Sequence, residues 1–328
     1  MSDLCDQPIR FGIGAMSFGN FYGPTTQANS HAILEHAMQM GVTHIDTSNV
    51  YGMGGSETAI GTFFKARGSS AKDHFHIATK AGITKDADGN RIYRNDFDHL
   101  EAELDQSLHR LGIDAVDVFY IHRRQAKMPI EEATGALARL VEKGKAKSIG
   151  FSEIAPSSLR RAAAVHPIAA VQSEYSLATR APELGLIQTC KELGTALVAF
   201  SPVGRSLLTD APLTDEKVAD LPFLSGNPRF MTPNHAANLK ATEAFRALAR
   251  DMGEPTAAVA IAWVLHQGLH IVPIPGTRSV THFTELLRGT QIKLSDADQH
   301  RIEAVLPVGW AHGDRYSDAQ WIGPERYC

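Results

Sequence analysis

Eight times along this chain a short apolar, β-branched run is followed by a longer stretch whose apolar positions recur at helical spacing. That alternation limits the possible folds more than any other feature. The strand-like runs fall at 9–16, 43–47, 74–80, 115–122, 147–152, 168–175, 195–201 and 269–275. The helical stretches fall at 30–40, 56–67, 96–111, 129–143, 155–165, 182–193, 233–252 with 256–267, and 280–287. Several of these end at a glycine, as at Gly41, Gly68, Gly112, Gly144 and Gly194, and Asp96 is placed to cap a helix start. Strict alternation implies a parallel sheet with helices outside it. Eight units in 328 residues imply α/β architecture as one closed (β/α)8 TIM barrel spanning 1–328, rather than an open doubly wound sheet. A long insertion at 202–234, an extra helix near 295–306 and a polar, aromatic tail complete the expected domain.

The composition excludes several functions. With 43% hydrophobic and 21% charged residues the chain is ordinary globular material. A net charge of −4 offers nothing to nucleic acid or to an anionic membrane surface. No apolar run reaches the roughly 18 residues of a membrane helix. The start, Met1-Ser2-Asp3-Leu4-Cys5-Asp6, is acidic and has no apolar core of the secretory kind. Cys5, Cys190 and Cys328 are odd in number and far apart, which predicts neither a disulfide framework nor a metal site and suits a reducing cytoplasm.

In a barrel of this kind every strand's C-terminal end lies on one face, where active sites form. The second strand ends in Asp46, with Tyr51 in its loop; the third ends in Lys80 and the fourth in His122. Neighbouring strands lie about 4.8 Å apart, so the four side chains can converge. A buried lysine needs a counter-ion, and Asp46 supplies one. The cation beside Tyr51 is expected to favour phenolate and lower the phenol from its usual pKa of about 10. That would give a proton donor usable near neutrality, while His122 orients a substrate oxygen.

These residues carry a resemblance to the aldo-keto reductases across nearly the whole chain. It rests on Asp46-Thr47-Ser48 with Tyr51-Gly52, on Ala78-Thr79-Lys80, on Ile121-His122 and on Ile149-Gly150-Phe151-Ser152. It continues through Val171-Gln172, Phe200-Ser201-Pro202-Val203-Gly204 and Pro273-Ile274-Pro275-Gly276-Thr277-Arg278. The resemblance implies a barrel that binds NADP(H) without a Rossmann domain, and no Gly-x-Gly-x-x-Gly stands between a strand and a helix here. It implies Tyr51 as general acid, tuned by Lys80 and Asp46, with His122 orienting the carbonyl. Ser152 and Gln172 match the carboxamide ligands and Phe200 the ring stacked on nicotinamide. Ser201, Val203, Gly204 and Arg205 would lie along the pyrophosphate. Gly276, Thr277, Arg278, His282 and Glu285 would hold the adenosine end, where the fixed fork of Arg278 suits a 2′-phosphate and favours NADP over NAD.

The sequence departs from the family pattern at Glu153 and Leu286, where asparagine is usual, and at Phe200, where tyrosine is usual. The first two put a carboxamide ligand and an adenine contact in doubt. The segment before the first strand is also too short for the family's barrel-plugging hairpin. His74 and His76 read as structural. For the substrate, Tyr22, Tyr51, His122, Arg123 and Trp310 are the candidate contacts. Arg123-Arg124 could read a polyhydroxylated or anionic ligand, and the tail around Trp310 could fold over the rim or mediate oligomer contacts. The expected activity is NADPH-dependent reduction of an aldehyde or ketone, with sugar-derived carbonyls one class. Two other readings stand beside it: an NAD(P)-dependent dehydrogenase using the same residues, and a cofactor-binding regulatory subunit, which the intact foursome argues against.

Overall fold

The computed structural model describes residues 3–327. Met1, Ser2 and Cys328, which enter the readings of the N-terminus and the cysteines, lie outside them. Ten strands are present: β1 (Gly12–Gly14), β2 (His44–Asp46), β3 (His76–Ala81), β4 (Ile83–Lys85), β5 (Arg91–Tyr93), β6 (Val116–Ile121), β7 (Ala146–Ser152), β8 (Ala170–Glu174), β9 (Ala196–Phe200) and β10 (Ile271–Pro273). Eight of them pair in parallel in the order β1-β2-β3-β6-β7-β8-β9-β10. The Gly14 amide closes the seam by donating to Pro275 O at 2.9 Å. Chain order is thus spatial order around a (β/α)8 barrel, as the alternation implied. Nearly all these strands are buried on both faces, which is why they read as continuous apolar runs.

Side chains pointing into the barrel fill it. Ala78, Val118, Tyr120, Ala170, Ala196, Val198, Val272 and Ile274 form one buried cluster. Leu4 and Cys5 join it, so the short leading segment itself supplies apolar side chains to the interior. Burial raises the Cys5 thiol to about 11 and keeps it inert. The larger cluster, centred on Trp263, Phe245, Leu137 and Phe119, lies between the strands and the outer helices.

The structure corrects several element limits. The first strand spans three residues rather than 9–16, because the chain turns into a 3-10 segment at Ala15–Gly19. The expected helix 233–252 is two, Asn234–Ala241 and Glu243–Asp251. Between them the Thr242 hydroxyl donates back to Asn238 O and Leu239 O, competing with the helical ladder. His74 ends a short helix, Ser69–His74, instead of starting a strand. The sequence reading missed the β4–β5 hairpin, although Asp88-Gly89-Asn90 between two alternating runs is a turn signal. Asp96 caps its helix as expected, accepting from the His99 amide at 3.1 Å.

His44 on β2 also points into the barrel. It is buried, and among the described residues neither ring nitrogen has a hydrogen-bond partner. Burial lowers its pKa to about 4. Between pH 6.5 and 4 the unfolded chain therefore takes up a proton that the folded chain refuses, and stability falls as pH drops through that window. The loss expected from His44 is roughly 3 kcal/mol. Urea denaturation across this range should show it, and His44→Leu should be flatter by that amount. Equal slopes in the two proteins would assign the pH dependence elsewhere.

Candidate active site

Register brings Asp46 and Lys80 together. Asp46 stands opposite Ala78, and Lys80, two residues on, leaves the same face of β3. The Ala78 methyl takes little room, so the Lys80 side chain can reach back across it. Lys80 Nζ pairs with Asp46 Oδ1 and donates to Thr47 O at 2.7 Å, with both charged groups almost wholly buried. Asp46 Oδ2 accepts from Gln172 Nε2 at 2.7 Å. Burial lowers the lysine's pKa, and the carboxylate opposes that shift.

Tyr51 lies over this pair, with Lys80 Nζ 5.0 Å from its ring centroid. Its ring meets Phe21 and His122 edge-on, at 6.0 and 5.8 Å. The loop that carries it can sit there because two glycines touch. Gly52 has φ +60°, and a Cβ on Gly19 would fall 2.6 Å from Gly52 N. The expected fall in the phenol's pKa does not occur. Burial pushes it up, and Asp46 adds to the rise; Arg123 opposes it. The physical reason is that Asp46 cancels the lysine's charge at close range, so desolvation dominates. His122 Nδ1 faces Ser48 Oγ at 3.1 Å. Burial, with Arg123, Lys80 and Arg91 nearby, drives the imidazole well below its usual pKa, so it is neutral at physiological pH.

These groups open into a cleft of about 960 Å³ at the C-terminal ends of the strands. Ser152, Gln172, Phe200, Ser201, Val203, Arg205, Gly276, Thr277, Arg278, His282 and Glu285 line it together with Asp46, Tyr51 and His122. Gly204, in the same loop as Val203 and Arg205, is buried and is not among the lining residues. Ser201, Arg205 and Ser206 all have positive φ, so the loop after β9 is tightly curled, and strain of this kind concentrates at functional sites. From there a strap crosses the opening: Phe223 meets Phe21 and Tyr22 edge-on, each at 6.0 Å. At the far end Ser279 caps the helix Val280–Arg288 and Arg278 stands exposed beside it. Helix-start amides and a guanidinium are groups suited to holding an anion, and Arg278 also donates to Pro24 O at 2.9 Å.

The tail reaches the cleft through Tyr316 and Gln320, not through Trp310. Trp310 does not line the cleft: it packs against the main core and the cluster of Leu207, Val218, Leu221, Leu224 and Phe230, and donates its indole N–H to Leu177 O at 2.8 Å. Tyr316 is seated by buried charges. Glu153 pairs with Arg315 and accepts from Ser173 Oγ and the Glu174 amide. Glu174 pairs with Arg205 at 2.9 Å and with Arg229 at 3.4 Å. The departure at Glu153 therefore has a task, which is to hold the tail rather than a carboxamide. Arg123 donates to His122 O at 2.7 Å, Ser152 Oγ at 2.9 Å and the Tyr316 hydroxyl at 3.2 Å. Arg124 turns away to Glu325 and Met128 O. Beyond Tyr316 and Gln320, the lining residues missed from sequence include Arg91 and Tyr93 of the hairpin, Phe21 beside Tyr51 and Phe223 of the strap. His74 bonds Val42 O at 3.0 Å and His76 lies near Asp117, both structural.

The family model described as the aldo/keto reductase family matches residues 10–307. The chain is similar to the Schizosaccharomyces pombe protein named aldo-keto reductase yakc [NADP(+)], with 37% identity over 309 residues, 93% of this chain and 90% of that one. Among solved structures it is similar to the glycerol dehydrogenase from Gluconobacter oxydans, with TM-score 0.79 and 26% identity over 92% of each chain. An aldo-keto reductase from Bacillus halodurans superposes with TM-score 0.74 over 95% of each chain; at 20% identity it speaks to the fold alone.

Breaking one partner of a buried ion pair costs about 3–5 kcal/mol, because the other charge stays buried alone. Arg315→Met should lose stability on that scale in urea denaturation and expose the tail to limited proteolysis. Wild-type stability and an intact tail in that variant would mean that the Glu153–Arg315 pair does not hold this segment.

Proposed function

This chain belongs to the aldo/keto reductase family, and on that premise we propose that it reduces aldehydes or ketones, sugar-derived carbonyls among them, with Tyr51 as proton donor. It is an NADP(H)-dependent oxidoreductase. The observation that carries this reading is the buried phenol of Tyr51, its pKa raised by burial, beside a neutral His122 and a lysine already paired.

The residues present fit the cofactor. Phe200 offers a flat ring to the cleft, Ser152 and Gln172 stand beside it, and Arg278 with the helix start at 280 suits a phosphate. The bound cofactor supplies hydride; the chain supplies position and a proton. His122 uses Nδ1 on Ser48, so Nε2 is the nitrogen we assign to the carbonyl oxygen, as the N–H donor of a neutral ring. Tyr51 donates its proton to the same oxygen as charge develops there. The strap and tail limit the access of water to the cleft.

A phenol with a raised pKa is a loaded acid at neutral pH and a poor base. Reduction needs Tyr51 protonated, so its kcat/KM should stay flat from about pH 6 to 9. Oxidation needs it deprotonated and should rise with pH throughout. A dehydrogenase working best near neutrality would reverse that order. The sugar reading is supported by the named activity of the Gluconobacter oxydans protein on glycerol and by the polar groups of the pocket.

Tyr51→Phe should cut turnover by on the order of 10²–10⁴-fold while leaving cofactor affinity within about twofold, read by steady-state rates and fluorescence titration. Full activity in that variant would sink the mechanism. Arg278→Ala should weaken NADPH by roughly tenfold or more, as expected for a lost charged hydrogen bond, and leave NADH little changed. Equal losses for the two cofactors would mean that this arginine does not read the 2′-phosphate.

A further inference from the structure

Four arginines line the cleft: Arg91, Arg123, Arg205 and Arg278. Arg205 is matched by Glu174 at 2.9 Å, and Arg278 lies by the helix start at 280. Arg91 and Arg123 have no carboxylate partner among the described residues, whereas their neighbours Arg94 and Arg124 are paired with Asp96 and Glu325. Both face the same cavity as Tyr51 and His122.

The half of the cleft that faces Tyr51 holds no negative charge to offset them. The lining carboxylates are Asp46, Asp210 and Glu285. Asp46 is cancelled by Lys80. Asp210 accepts from the Thr256 amide and hydroxyl, and Glu285 sits on the helix Val280–Arg288 beside Arg278. The charge cluster behind the tail is balanced within itself, with Arg205, Arg229 and Arg315 facing Glu153, Glu174 and the nearby Asp314. Arg123 acts on Glu153 from a distance, but that carboxylate is ion-paired with Arg315, so Arg123 has no ion-pair partner of its own among the described residues. Three of its N–H groups are engaged, and a guanidinium has five. The side chain of Arg91, on the exposed hairpin at the cavity edge, makes no hydrogen bond or ion pair among the described residues, so nothing in the protein competes for its fork.

We propose that this enzyme's preferred substrate is a carbonyl compound carrying an anionic group, carboxylate or phosphate, which Arg91 and Arg123 hold while the carbonyl meets Tyr51 and His122. A planar guanidinium fork takes either anion through two parallel hydrogen bonds. The proposal deepens the reductase reading of the same site and rests on it.

Matched substrates measured by NADPH oxidation test it: succinic semialdehyde against butanal, 4-carboxybenzaldehyde against methyl 4-formylbenzoate, and glyceraldehyde 3-phosphate against glyceraldehyde. In the preferred pair the anionic member should lead in kcat/KM by about tenfold or more, mostly through KM, and the lead should shrink with added salt. The carboxylate and phosphate pairs show which anion the site takes. Arg91→Gln, a change on an exposed side chain, should pull the anionic-to-neutral ratio toward one, as should Arg123→Gln. Neutral members used as well as anionic ones in every pair would overturn the proposal and leave the reductase reading standing. No turnover of any member, with NADPH binding intact, would overturn both. An anionic lead that Arg91→Gln and Arg123→Gln both leave untouched would also overturn it.

Discussion

The buried ion pair of Lys80 and Asp46 is the constraint on which the rest of the site depends. Neither charge could stay in the barrel alone, and each is held by a second polar group, Thr47 O for the lysine and Gln172 for the carboxylate. The pair fixes the ends of β2 and β3 relative to each other and gives Tyr51 a charged but neutralised floor. Because the two charges cancel at close range, the phenol responds chiefly to its burial and keeps its proton. The same surroundings keep His122 uncharged. One electrostatic arrangement therefore sets the protonation of both groups proposed to meet the carbonyl oxygen.

A second set of buried charges does comparable work at the edge of the cleft. Glu153 and Glu174 leave the ends of β7 and β8, and they hold Arg315 from the tail and Arg205 from the curled loop. These contacts link segments that are far apart in sequence, and they place Tyr316 against Arg123. The strap anchored through Phe223 closes from the other side. The cleft thereby acquires two ends of different character. One is the helix start at 280 with Arg278 beside it. The other is a pocket of rings and two unmatched guanidiniums above Tyr51.

Much of this was legible along the chain. The alternation of apolar runs and helical stretches predicts the barrel, because parallel strands buried on both faces need helices between them. Asp46, Lys80 and His122 were legible because each stands at or next to a strand end, with Tyr51 in the loop that follows one, and every strand end faces the same way. The residues from Ser152 to Glu285 were named from the family resemblance, and apart from the buried Gly204 they line the same cleft. Trp310 and Tyr316 were not separable, since six residues of irregular tail carry no periodicity to say which ring turns inward. The fall expected for the Tyr51 pKa also failed, because a sequence shows that a cation is near but not how closely an anion cancels it.

The sequence by itself determined the architecture, the face on which the cleft lies and the four groups that gather there, since these depend on local pattern and on the direction of the strands. Only the tertiary structure decided which charges remain unmatched. Whether an arginine serves the fold or a ligand depends on carboxylates brought to it from distant segments. Glu153 meets Arg315 across 162 residues and Arg124 meets Glu325 across 201, while Arg91 and Arg123 meet no carboxylate among the described residues. Local spacing cannot encode that difference, because it arises when the chain closes on itself.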